Sequence, residues 1–199
     1  MFDNRKQAQE LNCKLIAGKV RVSNVDDFLA VLKTIAHKYD VTIQAMNAEL
    51  IAGEEHIKSA VKKALRAVGR NRNITNDLSL EILLYAAGRR QIERALAMGV
   101  SESEGESAKN VAIVIVDAYA YTSASRGKNL DMVAEEVKRE IGMIEEPVQE
   151  LELGLEHNED KKEKLKRFFE ISDDELKAVG ESKLKQLVLE RVAMLDVLK

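Results

Sequence analysis

Six basic side chains, Lys58, Lys62, Lys63, Arg66, Arg70 and Arg72, fall between Glu55 and Asp77 with no acid among them. The whole chain carries a formal net charge of −3. A basic island on an acidic background concentrates positive potential on a small surface, which is how a protein captures a polyanion. Arg89 and Arg90 follow soon after, directly behind Gly88, and Arg94 lies one helical turn beyond Arg90. Guanidinium groups make bidentate contacts to phosphate and stack on bases. A plainer reading stands beside this one. A Lys/Arg-rich helix face often serves only solubility, and Arg90 can equally pair with Glu93 or another acid.

Residue types that break or form covalent bonds lack the spacing their chemistry needs. No G-x-x-x-x-G-K-[ST] phosphate loop, G-x-G-x-x-G turn or G-x-S-x-G nucleophile elbow occurs. The three histidines, His37, His56 and His157, are scattered, and Cys13 is the one cysteine, so a zinc site is not expected. His56 follows Glu54-Glu55 and could join them around a metal; the plainer expectation is a surface histidine beside two helix-start acids. No catalytic residue, metal ligand or cofactor site is assigned. The expectation is a binding protein rather than an enzyme.

Bulk properties agree. A chain of 199 residues, 45% hydrophobic and 33% charged, can bury one substantial core. Aromatic residues are only 4%, too few for the stacking platform common in single-strand binders. A single cysteine forms no internal disulfide, which favours a reducing compartment. The longest apolar run, Val111 to Val116, is far too short to cross a bilayer. A polar start without an apolar signal core reads as a flexible N-terminal tail over residues 1–13, ahead of one domain over 14–199. The expected location is the cytoplasm.

Hydrophobic periodicity places these side chains on elements. Leu15 to Val22 reads as a strand. Asn24 caps a helix whose inward positions are Phe28, Val31, Leu32 and Ile35, and Val41 to Met46 alternates like a second strand. The order of pairing in this β-α-β opening stays open. Asn47 caps a turn leading to a helix over 54–68, closed by Gly69. On it Ile57, Val61, Ala64, Leu65 and Val68 face inward while Lys58, Lys62 and Arg66 form a ridge at i, i+4 and i+8. Arg70 to Asn73 is a basic loop. A long helix, opened by Asp77 or Asn76, then runs to about Met98 with two apolar stripes, so it must be sandwiched or offer one side to a partner.

Further on, Val111 to Val116 reads as a buried strand, Ser123 to Ile141 as a helix, and Pro147 to Leu153 as an edge strand. Residues 145–160 hold seven acids and no Lys or Arg, an asymmetry opposite to the basic island. Asp160 to Phe169 is helical, and Ser172 with Glu175 opens another helix through a capping box. The last helix, about 182–197, carries a core stripe of Leu184, Leu187, Val188, Leu195 and Leu198. Leu189, Ala193 and Val197 lie on a different side, a surplus of apolar surface that points to a protein partner.

Three segments in order carry a family resemblance: Ala48 to His56, Leu80 to Ile92 (Leu-Glu-Ile-Leu-Leu-Tyr-Ala-Ala-Gly-Arg-Arg-Gln-Ile), and Phe169 to Leu176 followed by Leu187 to Asp196. The chain resembles the small kinase-binding regulatory subunit of the KEOPS complex, the PRPK-binding protein family. The resemblance implies an α/β fold, with a small mixed or antiparallel sheet flanked by helices in a single domain. It implies a non-catalytic subunit that binds the kinase/ATPase of the complex and captures the single-stranded CCA end of tRNA. It thereby supports threonylcarbamoyl-adenosine modification of tRNA. Carried onto this chain, the tRNA end would lie against Lys62, Arg66, Arg70, Arg72, Asn73, Arg89, Arg90, Ile92 and Arg94. The kinase would meet Leu187, Leu189, Val192, Ala193 and Leu195.

The competing expectation is a purely structural protein-protein interaction module with no direct RNA contact. An enzyme acting on a small molecule ranks third.

Overall fold

The computed structural model describes residues 11–118, 127–152 and 158–197. Four strands form one open sheet: β1 (Cys13–Val20), β2 (Thr42–Asn47), β3 (Lys109–Val116) and β4 (Ile144–Glu146), in the order β2-β3-β1-β4. Every neighbouring pair is antiparallel, with Leu15 opposite Val114 and Gln44 opposite Val114 on the other side. β1 and β2 therefore run in the same direction without touching, because β3 lies between them. That answers the pairing question the sequence leaves open, and it makes β3 central. Its unbroken apolar run is what a strand covered on both faces requires.

Alternation splits the sheet residues between two cores. Leu15, Ala17, Met46, Ala112, Val114 and Val116 face one side; Ile16, Val20, Ile43, Ala45, Val111, Ile113 and Ile115 face the other. Helix α1 (Val25–Tyr39) and helix α5 (Leu130–Glu140) cover the second face through Phe28, Leu32, Ile35, Val133 and Val137. The first face carries α2 (Glu54–Gly69), α3 (Leu78–Ala87), the short α4 (Ile92–Leu96), α6 (Glu159–Phe169), α7 (Asp173–Val179) and α8 (Leu184–Met194). The result is a three-layer α/β domain with a small antiparallel sheet.

The helix starts follow their caps. Asn24 accepts from the Asp27 N–H at 3.0 Å, Asn47 from Glu49 at 3.0 Å and Ser172 from Glu175 at 3.1 Å. Asp77 receives the Ser79 N–H at 2.9 Å and so opens α3.

Three expectations are corrected. The long helix over 77–98 is two helices, because Gly88 adopts φ 61° and its N–H turns back to Leu84 and Tyr85 carbonyls. A Cβ at residue 88 would stand 3.1 Å from the Arg191 carbonyl oxygen, so the bare backbone admits the chain's own last helix. The strand expected over Pro147 to Leu153 lies earlier, at Ile144–Glu146. From Pro147 the chain turns, with Glu150, Leu151 and Glu152 N–H groups bonded three residues back. Proline and acids suit the first turn of a helix and not a strand interior; residue 153 lies outside the described residues. The helix expected from Ser123 begins at Leu130, capped by Asn129, with residues 123–126 outside the described set.

Candidate nucleic-acid interface

The amphipathic pattern of α2 sets the site. Ile57, Val61, Ala64 and Leu65 are buried against the core, which turns Lys58, Lys62 and Arg66 outward as an exposed ridge. The ridge is not uniform. Lys58 pairs with Glu54 at 2.8 Å one turn earlier. Lys63, beside the ridge, is bound to Asp196 at 2.8 Å.

At the end of α2 the chain reverses tightly. Arg70, Asn71 and Arg72 N–H groups return to carbonyls of the last turn, and Asn71 takes the left-handed conformation at φ 53°. The helix stops at Gly69 as the sequence indicates, and the left-handed residue of the turn follows two positions later. The Asn73 amide donates to the Thr75 carbonyl at 2.9 Å. Glu81, fully buried on α3, accepts the backbone N–H groups of Ile74 and Thr75 at 2.9 and 3.1 Å through one oxygen. A buried carboxylate that bonds two amides fixes a loop whose own residues are mostly polar. The basic loop is therefore held from beneath, not loosely attached.

Between this loop and α3 lies a groove of about 690 Å³. Arg66, Arg70, Arg72 and Arg90 surround it, Asn73, Ala67 and Ile74 add polar and apolar wall, and Tyr85 and Asp196 complete it. The Tyr85 hydroxyl donates to Asp196 Oδ1 at 2.7 Å while Lys63 Nζ donates to Oδ2 at 2.8 Å. Burial, reinforced by the neighbouring Asp196 carboxylate, pushes the Tyr85 phenol above its usual range, so it remains a donor. Burial works against the Asp196 charge, but the Lys63 ammonium and the Tyr85 hydroxyl outweigh it and hold the carboxyl below its usual value. Four guanidinium groups around a small concavity suit a phosphate-bearing chain end better than a duplex, which needs a longer surface.

The expected RNA residues divide. Arg66, Arg70, Arg72, Asn73 and Arg90 meet around the groove. Lys62 stands exposed one turn away on the same α2 ridge. Ile92 and Arg94 are exposed on α4 and do not line the groove. Arg89 is engaged within the fold: its guanidinium donates to the Phe168 carbonyl at 2.7 Å and to Glu170 at 2.9 Å, fastening the α3–α4 corner to the end of α6. Tyr85, Ile74, Ala67 and Asp196 were not expected. Tyr85 falls on one of the two apolar stripes of the 77–98 segment, and nothing in the sequence joins residue 196 to residue 85.

On α8, Leu187, Val192 and Leu195 are buried in the core, so their side chains are not surface contacts. Leu189 is half-buried and Ala193 exposed; Met194 and Val197 add exposed apolar area, Val197 at 82%. Arg191, on another side of the helix, forks onto both Glu175 oxygens at 2.8 Å. Leu198 lies outside the described residues.

His56 corrects its expectation entirely. It is fully buried, with Nδ1 accepting the Ala52 N–H at 3.2 Å and Nε2 at 2.8 Å from the Ala86 carbonyl, so Nε2 carries the proton and donates. Among the described residues, no three His, Cys, Asp or Glu side chains are grouped to hold a metal. Among the same residues, no helix is long and apolar enough to cross a membrane.

No curated protein matches the chain. The family model described as kinase binding protein CGI-121 matches residues 2–196, nearly the whole length, including the first residues that read as a tail. With the α/β architecture and the ordered motifs around Leu80 to Ile92 and Leu187 to Asp196, that match places the chain in the CGI-121 family of kinase-binding proteins, the family of the PRPK-binding KEOPS subunit.

Proposed function

We propose that this protein is a non-catalytic cytoplasmic adaptor of the KEOPS complex. One surface binds the kinase/ATPase subunit, and the other captures the CCA end of tRNA for threonylcarbamoyl-adenosine modification. Kinase binding is the family's property; the RNA role rests chiefly on the groove ringed by Arg66, Arg70, Arg72 and Arg90. Its walls give the physical logic. Guanidinium groups meet phosphates in bidentate fashion, and the planes of those same groups, with Ile74 and Ala67, offer faces for unstacked bases where aromatic residues are scarce. The kinase surface is the exposed side of α8, with Leu189 and Ala193, extended by Met194 and Val197. Leu187, Val192 and Leu195 contribute by holding that helix on the core.

The reading is tested by tRNA binding across a salt series, with intact tRNA and with tRNA trimmed of its terminal CCA. The expected result is sharp loss on trimming. The log–log salt slope for intact tRNA should be about −0.7 for each single-strand phosphate contacted. Arg66→Glu with Arg90→Glu should abolish binding in the folded protein. Equal binding of trimmed and intact tRNA would refute the assignment and leave a protein-interaction module.

A further inference from the structure

The groove contains one group that phosphate capture alone does not explain. Asp196 places a carboxylate among four arginines. A negative charge there works against every phosphate that enters, since like charges a few ångströms apart repel even near a protein surface. The charge is also built in. Tyr85, itself fully buried, donates to Oδ1 at 2.7 Å, and Lys63 donates to Oδ2 at 2.8 Å. A carboxylate has roughly four acceptor positions, so two such bonds fix the group and leave it acceptor capacity toward the groove.

An RNA chain offers ribose hydroxyls and exocyclic amines as donors. Only its 3′-terminal nucleotide offers two vicinal hydroxyls with no following phosphate. Resting on the RNA-end reading above, we propose that Asp196 is a specificity-determining residue: it accepts hydrogen bonds from the free 2′,3′-diol of the terminal nucleotide and disfavours an end that carries a 3′-phosphate. The arginines then hold the phosphates that precede this nucleotide, and Tyr85 and Lys63 act as positioning residues by fixing the carboxylate. The arrangement separates a finished RNA end from a phosphorylated end or from the interior of a strand, where the charge repulsion falls on the wrong side of the sugar.

The test measures Kd for one tRNA with a 3′-hydroxyl, a 3′-phosphate or a 3′-deoxy terminus, against the wild-type protein and Asp196→Asn. The asparagine oxygen retains an acceptor for Tyr85, while the charge and the acceptor for Lys63 are lost together, so the readout is the ratio between RNA ends and not the absolute affinity. The wild type should bind the phosphorylated tRNA about tenfold more weakly than the hydroxyl form, and the deoxy form severalfold more weakly. In Asp196→Asn the phosphate-to-hydroxyl ratio should fall to about one. A merely structural role for Asp196 would weaken all three forms together and leave the ratio in place, which overturns the proposal. So does equal binding of the hydroxyl and phosphate forms by the wild type, a comparison that needs no variant to fold. If CCA trimming abolishes binding while the three ends bind alike, only the Asp196 assignment falls. If trimming has no effect, the RNA-end reading falls and this one with it.

Discussion

The most quantitative expectation concerns His56 and acid. Its ring is completely buried between α2 and α3 and packs edge-on against Phe169, with centroids 5.6 Å apart. Nδ1 accepts a backbone N–H from Ala52, so a proton there would set donor against donor inside the core. Burial lowers the pKa from 6.5 to about 4; the bond to Ala86 opposes that shift without cancelling it. In the unfolded chain the imidazole takes up its proton near pH 6.5, while the folded form refuses it until about pH 4. The unfolded state therefore binds more protons across that window, and stability rises with pH through it. Above pH 6.5 the contribution is fully present. It is lost as pH falls to 4 and is level below. At 1.36 kcal/mol for each pKa unit, the full loss is about 3 kcal/mol, of which about 2 kcal/mol falls between pH 7 and pH 5.

Urea unfolding of the wild type and His56→Gln at pH 7, 6 and 5 measures this directly. Carboxylates such as Glu49, held below their usual range, also lose stability in acid, but they are common to both proteins. The readout is therefore the difference between the two. The wild type's advantage over the variant should shrink by about 2 kcal/mol from pH 7 to pH 5. A gap that stays constant with pH would show that His56 is not the neutral, buried pin described above.

Four other outcomes are expected. Glu81→Ala removes the acceptor for two backbone N–H groups of the basic loop and should cost about 2–4 kcal/mol in urea unfolding. If folded, it should also bind tRNA more weakly through a disordered Arg70 to Thr75 loop; unchanged stability would contradict the buried bonding. Gly88→Ala forces an alanine into the left-handed region and against the Arg191 carbonyl, a cost of about 1–3 kcal/mol by thermal or chemical melting. Leu189→Glu or Ala193→Glu should abolish co-purification with the kinase subunit while circular dichroism is unchanged. Val192→Glu should instead unfold the protein by burying a charge.

Much of the architecture was legible from periodicity. The caps at Asn24, Asn47, Asp77 and Ser172 mark helix starts because a side chain must serve the orphan N–H groups there. The unbroken run Val111 to Val116 announces a strand covered on both faces. What pattern could not supply is contact between distant segments. Gly88 reads as a bare stretch of backbone open to another chain, and the backbone that approaches it is this chain's own, at Arg191. His56 follows two acids and so looks solvated, yet α3 and Phe169 close over it. The site shows the same division. The basic residues of α2 and its loop are neighbours in sequence and were found together. Arg89 is engaged within the fold by Phe168 and Glu170, which lie at the end of a helix far along the chain where no local pattern reveals them. Tyr85 and Asp196 likewise meet across 111 residues of sequence.

The sheet order has a consequence for biosynthesis. β1 and β2 emerge first but have no partner until β3 is made, because neither pairs with the other. A nascent chain that has reached the basic loop holds two unmatched strand edges and a cationic segment without its acidic counterpart, Asp196. Asp196 joins the groove only when translation has passed residue 196, so a product that ends between Arg90 and Asp196 carries all four groove arginines without their carboxylate.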